Sequence, residues 1–326
     1  MNNKVRVRFA PSPTGDPHIG SLRTALFNWL FAKHYDGKFI LRLEDTDRKR
    51  LITDSADKIY RALDWLGIIP DEGPNHGGDF GPYMQSQRTE IYKNYSDALI
   101  DNKKAFYCFC SSERLNELRQ TQENTKQPTR YDGRCASMSA EEVKNNLIRK
   151  EPAVIRLKIP EKGTTKINDI LRGKVIVNND EIDHQVLIKS DGWPTYHLAS
   201  VIDDHLMEIS HVIRAEEWLP STPKHVILYQ AFGWSVPSFI HLSMIVGSDR
   251  SKLSKRHGAT SVNEYINIGY EPVAIRSFLA LLGWNPGTNQ EIFNDDELIK
   301  QFSEKGFNKS AAVFDVKKLT YHQIQN

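Results

Sequence analysis

Val5, Val7 and Phe9 alternate with Arg6 and Arg8, the period-two rhythm of a strand. Between Pro11 and Pro17, three prolines and Gly15 forbid regular structure. Leu22, Ala25, Leu26, Trp29 and Leu30 then recur at helical spacing and predict an amphipathic helix opening near Ile19. KFILRL over 38–43 predicts a second strand. Ser55 to Leu66 predicts a helix with Ile59, Ala62, Leu63 and Leu66 on one face, and Thr89 to Asn102 another with Ile91, Tyr95, Ala98 and Leu99 inward. This strand–helix alternation predicts an α/β fold, a parallel sheet covered by helices.

The alternation stops near Ala105. From there to about Asp191, short strands (153–159, 174–177 and 186–189) mix with polar helices, and 119–133 is poor in hydrophobics, as in a loop or exposed helix. This stretch is expected to be an inserted domain. The earlier rhythm resumes with a helix over 196–206, a strand over 208–213, a helix over 222–232 and a strand over 239–246. A doubly wound sheet split by an insertion would read this way. Helices are expected beyond it at 263–268, 271–283 and 295–304, and no internal repeat is visible.

Composition narrows the class. The chain has 326 residues, 39% hydrophobic and 26% charged, as in a soluble globular protein of one large or two to three ordinary domains. No apolar run is long enough to cross a bilayer, and the polar start MNNKVRVRF is unlike a signal peptide, so a cytoplasmic setting is expected. The net charge of +2 does not announce a nucleic-acid binder, and any RNA contact needs local basic patches. Three cysteines do not make a disulfide framework. Cys108, Cys110 and Cys135 have spacing suggestive of a tetrahedral zinc site but lack an evident further ligand, so reduced, partly buried thiols and no metal are expected.

The chemistry concentrates in three places. At the first strand-to-helix junction, free backbone N–H groups and the positive end of a helix dipole suit an anion. His18 lies where that helix opens, either capping it or facing a ligand, with Gly20 allowing close approach. Glu44 follows the second strand, where a carboxylate could take a ligand ammonium, while Asp45, Thr46 and Asp47 suit a helix cap. Finally, SKLSKRHG at 251–258 follows a strand directly and is either a solvated basic loop or an anion site.

PSPTGDPHIGS, with Ser21 last, resembles the HIGH signature of class I aminoacyl-tRNA synthetases, and KLSKR resembles their second signature, commonly written KMSKS. LRLEDTDR at 41–48, DEGP at 71–74, GPYMQSQR at 81–88, RYDGRC at 130–135, KSDGWPTYHLASVIDDHLM at 189–207 and VIRAEEWL at 212–219 extend the resemblance over essentially the whole chain, toward the glutamyl branch. The fold this implies is a split Rossmann-like doubly wound parallel sheet with an inserted α+β domain and a C-terminal helical stem-contact domain. The catalytic halves would be 1–104 and 196–250, the acceptor-stem insertion 105–195, and the second-signature loop with the helical domain 251–326.

The activity implied is ATP-dependent activation of L-glutamate, with Mg²⁺, and transfer to the 3′ end of tRNA(Glu), by a monomer. His18, Lys252 and Lys255 would be catalytic. ATP would be bound by Pro11, Thr14, Gly15, His18, Gly20, Ser21, Lys252, Leu253, Ser254, Lys255 and Arg256. Glutamate would be bound by Arg8, Ala10, Ser12, Glu44, Tyr196, Ser200 and Arg214. Ser200 stands where some relatives carry Asn, and Ser137 stands where zinc-binding members carry their fourth ligand. Relatives often need tRNA for activation, and they usually continue into an anticodon-binding region, here expected to be lacking. Two other readings remain open: a paralogue that glutamylates a modified tRNA base, and a non-catalytic RNA-binding remnant.

Overall fold

The computed structural model describes residues 4–253 and 261–325. In order, the chain opens with β1 (Arg6–Phe9), α1 (Ile19–His34), β2 (Lys38–Leu41), α2 (Ser55–Trp65) and α3 (Thr89–Asp101). The middle holds β3 (Ala105–Cys108), α4 (Ser112–Asn124), α5 (Ala140–Ile148), β4 (Val154–Leu157), β5 (Thr164–Asp169), β6 (Gly173–Asn178) and β7 (Val186–Ile188). There follow α6 (Tyr196–Leu206), β8 (His211–Ala215), α7 (Thr222–Phe232), β9 (Ser238–Leu242) and β10 (Ile245–Val246). The chain ends in α8 (Val262–Ile268), α9 (Pro272–Leu281), α10 (Asp295–Gln301), β11 (Ala312–Val313) and α11 (Val316–Gln325).

β1 pairs with β2 in parallel, and β8 pairs with β9 in parallel. β1 runs beside β8, where the Ser210 N–H donates to the Arg6 carbonyl at 2.9 Å. From that seam the chain winds outward both ways, through α1 to β2 and through α7 to β9. The seam is therefore a topological switch point, where open α/β sheets leave a crevice beyond their carboxyl ends.

The helix α1 is apolar on almost every face rather than along one stripe: Leu22, Leu26, Phe27, Leu30 and Phe31 are all buried. The sheet covers one side. The C-terminal elements cover another, with Phe27 packing against Phe302 and Phe307 at ring separations of 5.2 and 5.4 Å. A helix hydrophobic all round is the kind that layers on both sides bury. The helical region after 261 thus shares one core with β1, α1 and β2.

The middle segment divides. β3, β4 and β7 form their own antiparallel sheet, as an insertion would. The hairpin β5–β6 instead joins the main sheet, with Asp169 in register with Phe239 of β9. Within the span 105–195 the hairpin thus belongs to the sheet of β8 and β9. The stretch 119–133 includes the exposed end of α4. The strand expected over 208–213 begins later, at His211, because Glu208 takes a left-handed φ of 55° in the turn after α6. Arg214 consequently lies within β8 rather than after it.

Among the described residues no helix is long and apolar enough to cross a membrane.

Candidate active site

A cleft of about 1430 Å³ opens over the carboxyl ends of β1 and β8. The loop after β1 forms one wall. It is held by Glu44 N–H to the Pro11 carbonyl (3.0 Å) and by Ser55 Oγ, which donates to the Gly15 carbonyl (2.6 Å) and accepts the Gly15 N–H (3.0 Å). Gly15 has φ 153°, a region that disfavours side chains. His18 caps α1, its Nδ1 accepting the Gly20 N–H at 3.1 Å. A Cβ on Gly20 would stand 2.9 Å from His18 Cε1, so glycine is what lets the imidazole lie across the helix end. With Nδ1 accepting, neutral His18 keeps its proton on Nε2. Desolvation and nearby Lys252 lower its pKa, against the pull of Glu217.

The described start of the second signature, Lys252 and Leu253, lines the same cleft. Lys252 bridges to Val246 and pairs with Glu217. On its far side Ser261 bridges to His18, and the Val262 N–H donates to the Pro17 carbonyl at 3.2 Å. The expected roles of Ser254, Lys255 and Arg256 fall on residues outside those described.

The floor is a buried charge network. Arg42 pairs with Asp204 (2.8 Å), Glu44 (3.1 Å) and Asp203 (3.7 Å). Arg8 holds Asp204 with both Nε (2.9 Å) and Nη2 (3.3 Å). Burial would raise Asp204, but the two guanidiniums keep it below its ordinary value. Burial lifts Glu44 to about 7, against the opposing pull of Arg42 and Arg8. Arg214 rises from β8 with Nη1 donating to Tyr196 Oη (3.0 Å) and His225 Nδ1 (3.3 Å), and Nη2 to Thr222 Oγ1 (2.9 Å). Burial, with Arg214 adjacent, holds His225 well below its ordinary value, as befits an acceptor.

Of the expected site residues, Arg8, Ala10, Pro11, Ser12, Thr14, Gly15, His18, Gly20, Ser21, Glu44, Tyr196, Arg214, Lys252 and Leu253 all line this one cleft. Ser200 does not: it is buried in α6, and its Oγ has no hydrogen-bond partner among the described residues. Asp47 caps no helix; it accepts from Arg50 in an exposed turn, while Asp54 precedes α2. Sequence reasoning missed Asp204 and Arg42, and Thr46, Lys189 and Trp218 on the cleft walls. The acidic pair at 203–204, directly after Val201 and Ile202, was the available signal.

Cys108, Cys110 and Cys135 bring their sulfurs within 4.8 Å of one another, as free thiols. Ser137 Oγ donates to the Arg134 carbonyl instead of joining them. Burial pushes the Cys110 thiol up to about 11; burial would also raise Cys108, but hydrogen bonds from Tyr131 and Arg156 hold it below its ordinary value. Tyr131 Oη lies 3.5 Å from Cys110 Sγ, so an oxygen donor stands beside the three sulfurs.

The family model described as tRNA synthetases class I (E and Q), catalytic domain, matches residues 4–321. The chain belongs to this family. Glutamate–tRNA ligases of Dehalococcoides mccartyi (strain CBDB1) and Chloroherpeton thalassium are 53% and 52% identical to it over 98% and 99% of its length. The chain spans 64% and 66% of those relatives. A crystal structure of a glutamate tRNA ligase from Elizabethkingia meningosepticum in complex with its amino acid superimposes with a TM-score of 0.94 at 44% identity, covering 99% of this chain and 69% of that one. As a class I synthetase catalytic domain, the chain has its first signature loop and the described start of the second, Lys252 and Leu253, lining one cleft at the switch point, and the Rossmann-like architecture expected from the sequence stands.

Proposed function

We propose that the chain is a glutamate–tRNA ligase. It joins L-glutamate to ATP as glutamyl-adenylate and passes the acyl group to the terminal ribose of tRNA(Glu). The reading includes a monomer in the cytoplasm whose insertion meets the acceptor arm. It is carried by one observation: His18 and Lys252 stand on the wall of the cleft whose floor holds Arg8, Glu44, Tyr196 and Arg214.

The glutamate α-carboxylate attacks the α-phosphorus of ATP and pyrophosphate leaves. A tRNA ribose hydroxyl then attacks the acyl carbon, releasing AMP. Neither step uses a protein nucleophile, so catalysis is positioning and stabilisation of charge. His18 Nε2–H, the N–H groups opening α1 and Lys252 would meet the phosphates. Lys252 must first leave Glu217. Mg²⁺ would arrive with the triphosphate, held mainly by phosphate oxygens and water, with Glu217 the carboxylate beside His18, and would offset phosphate charge. Arg214 with Tyr196 would take the side-chain carboxylate and Glu44 the ammonium. Arg8, clasped by Asp204 through Nε and Nη2, would offer Nη1.

Glutamate-dependent ATP–pyrophosphate exchange, run with tRNA present, tests the reading. No exchange above a glutamate-free control would overturn it. In the same assay His18→Ala should slow exchange by about 10²–10³, the worth of one preorganised donor, ~2–4 kcal/mol. An exchange rate equal to the parent's would remove His18 from the phosphate site.

Glu44 supplies a pH dependence. Its pKa is raised to about 7, so it is neutral below that value and anionic above it. Only the anion pairs with an ammonium, so glutamate affinity should be full above pH 7 and fall as pH drops through it. Glutamate KM measured from pH 8 to 6 should rise for the parent and stay flat for Glu44→Gln. Identical profiles for the two would exclude Glu44 as the ammonium partner.

A further inference from the structure

Asp169 and His241 lie behind the cleft, and neither belongs to its lining. Both side chains are fully buried. Asp169 closes β5, where Oδ1 accepts the N–H groups of Leu171 (2.9 Å) and Arg172 (2.6 Å). Its Oδ2 accepts the His241 backbone N–H (3.0 Å) and faces His241 Nδ1 at 2.6 Å. The carboxylate is therefore fixed by the backbone before it touches the imidazole. Burial would raise its pKa, but these hydrogen bonds keep it below the usual carboxylate value. Burial also lowers the His241 pKa, against the pull of Asp169.

On the other side of the ring, Arg214 Nε lies 3.1 Å from His241 Nε2. Arginine can only donate, so Nε2 must accept, and the ring proton must sit on Nδ1, facing Asp169. Thr222 Oγ1, also 3.1 Å from Nε2, donates its proton to the Trp218 carbonyl and accepts from Arg214 Nη2. Nε, both Nη1 hydrogens and one Nη2 hydrogen thus meet placed acceptors, which leaves the second Nη2 N–H for a ligand carboxylate, and the Nε hydrogen meets the acceptor whose tautomer Asp169 dictates.

We propose that Asp169 and His241 are positioning residues that brace Arg214 for the side-chain carboxylate of the amino acid. This rests on the reading that Arg214 takes that carboxylate. The brace comes from the hairpin β5–β6 and from β9, so the hairpin's attachment to the sheet of β8 and β9 has a role in specificity.

The test uses His241→Leu, His241→Gln and Asp169→Asn in the full chain, with pyrophosphate exchange in the presence of tRNA. Leucine removes the acceptor, and glutamate KM should rise about tenfold or more, with ATP KM changing by less than about twofold. Glutamine can donate to Asp169 while accepting from Arg214, and should recover most of the loss. Asp169→Asn puts an amide where Nδ1–H needs an acceptor, and should shift the neutral ring toward the Nε2-protonated tautomer, read from ¹⁵N chemical shifts, with a rise in glutamate KM. Equal losses in glutamate and ATP KM for the leucine and glutamine variants would overturn the proposal. So would a parent His241 protonated on Nε2. If Arg214→Ala keeps the parent's glutamate KM, the substrate assignment fails instead, and the ¹⁵N spectrum still decides the brace.

Discussion

Arg42→Met should unfold at a much lower urea concentration than the parent, with a stability loss of about 3–5 kcal/mol. Arg42 is fully buried and pairs with Asp204, Glu44 and Asp203. Burial lowers its pKa, but those carboxylates more than compensate and hold it well above its ordinary value. Asp203 keeps other partners in Arg88 (2.7 Å), Gln85 (2.8 Å) and Tyr92 (2.8 Å). Among the described residues, the loss therefore falls on Asp204, left to Arg8 alone, and on Glu44, which loses its only direct cation. Removing one partner of a buried ion pair strands a charge, whereas replacing the whole network by apolar groups can be neutral. The urea midpoint should drop by about 1 M or more. A midpoint equal to the parent's would mean that water already solvates this network.

The second large effect is on glutamate selection. Arg214→Ala should cost about 2–5 kcal/mol in kcat/KM for glutamate, the usual cost of truncating one side of a desolvated charge pair. ATP KM should hardly move. The groups left behind are neutral: Tyr196, Thr222, His225 and His241. The fold should therefore tolerate the change better than it tolerates the loss of Arg42. Arg214→Lys keeps the charge but not the planar fork, and should recover little. Steady-state constants separate these outcomes, and unchanged glutamate kinetics in Arg214→Ala would take the residue out of the pocket.

These two arginines also mark how far the sequence could be read. Arg214 was visible because it follows apolar β-branched residues near the end of an evident strand. Arg42 was not, because inside LRLEDTDR it looks like any exposed strand residue. Only the fold shows that α6 carries Asp203 and Asp204 across the sheet to meet it. Ser200, named only through the resemblance, sits one turn beyond Tyr196 in α6, buried and outside the cleft lining.

The sequence by itself determined the strand–loop–helix junction around His18 and the strand–helix alternation that stops near Ala105 and resumes near Tyr196. Those features are local, written in proline, glycine and hydrophobic period within a few residues of one another. Only the tertiary structure decided that the β5–β6 hairpin joins the sheet of β8 and β9, that α1 is buried from both sides, and that Asp169, His241 and Arg214 form a line. Such pairings bring together residues far apart along the chain, where no local pattern constrains them. What fixes them is the need to bury apolar surface while every buried polar group still finds a partner.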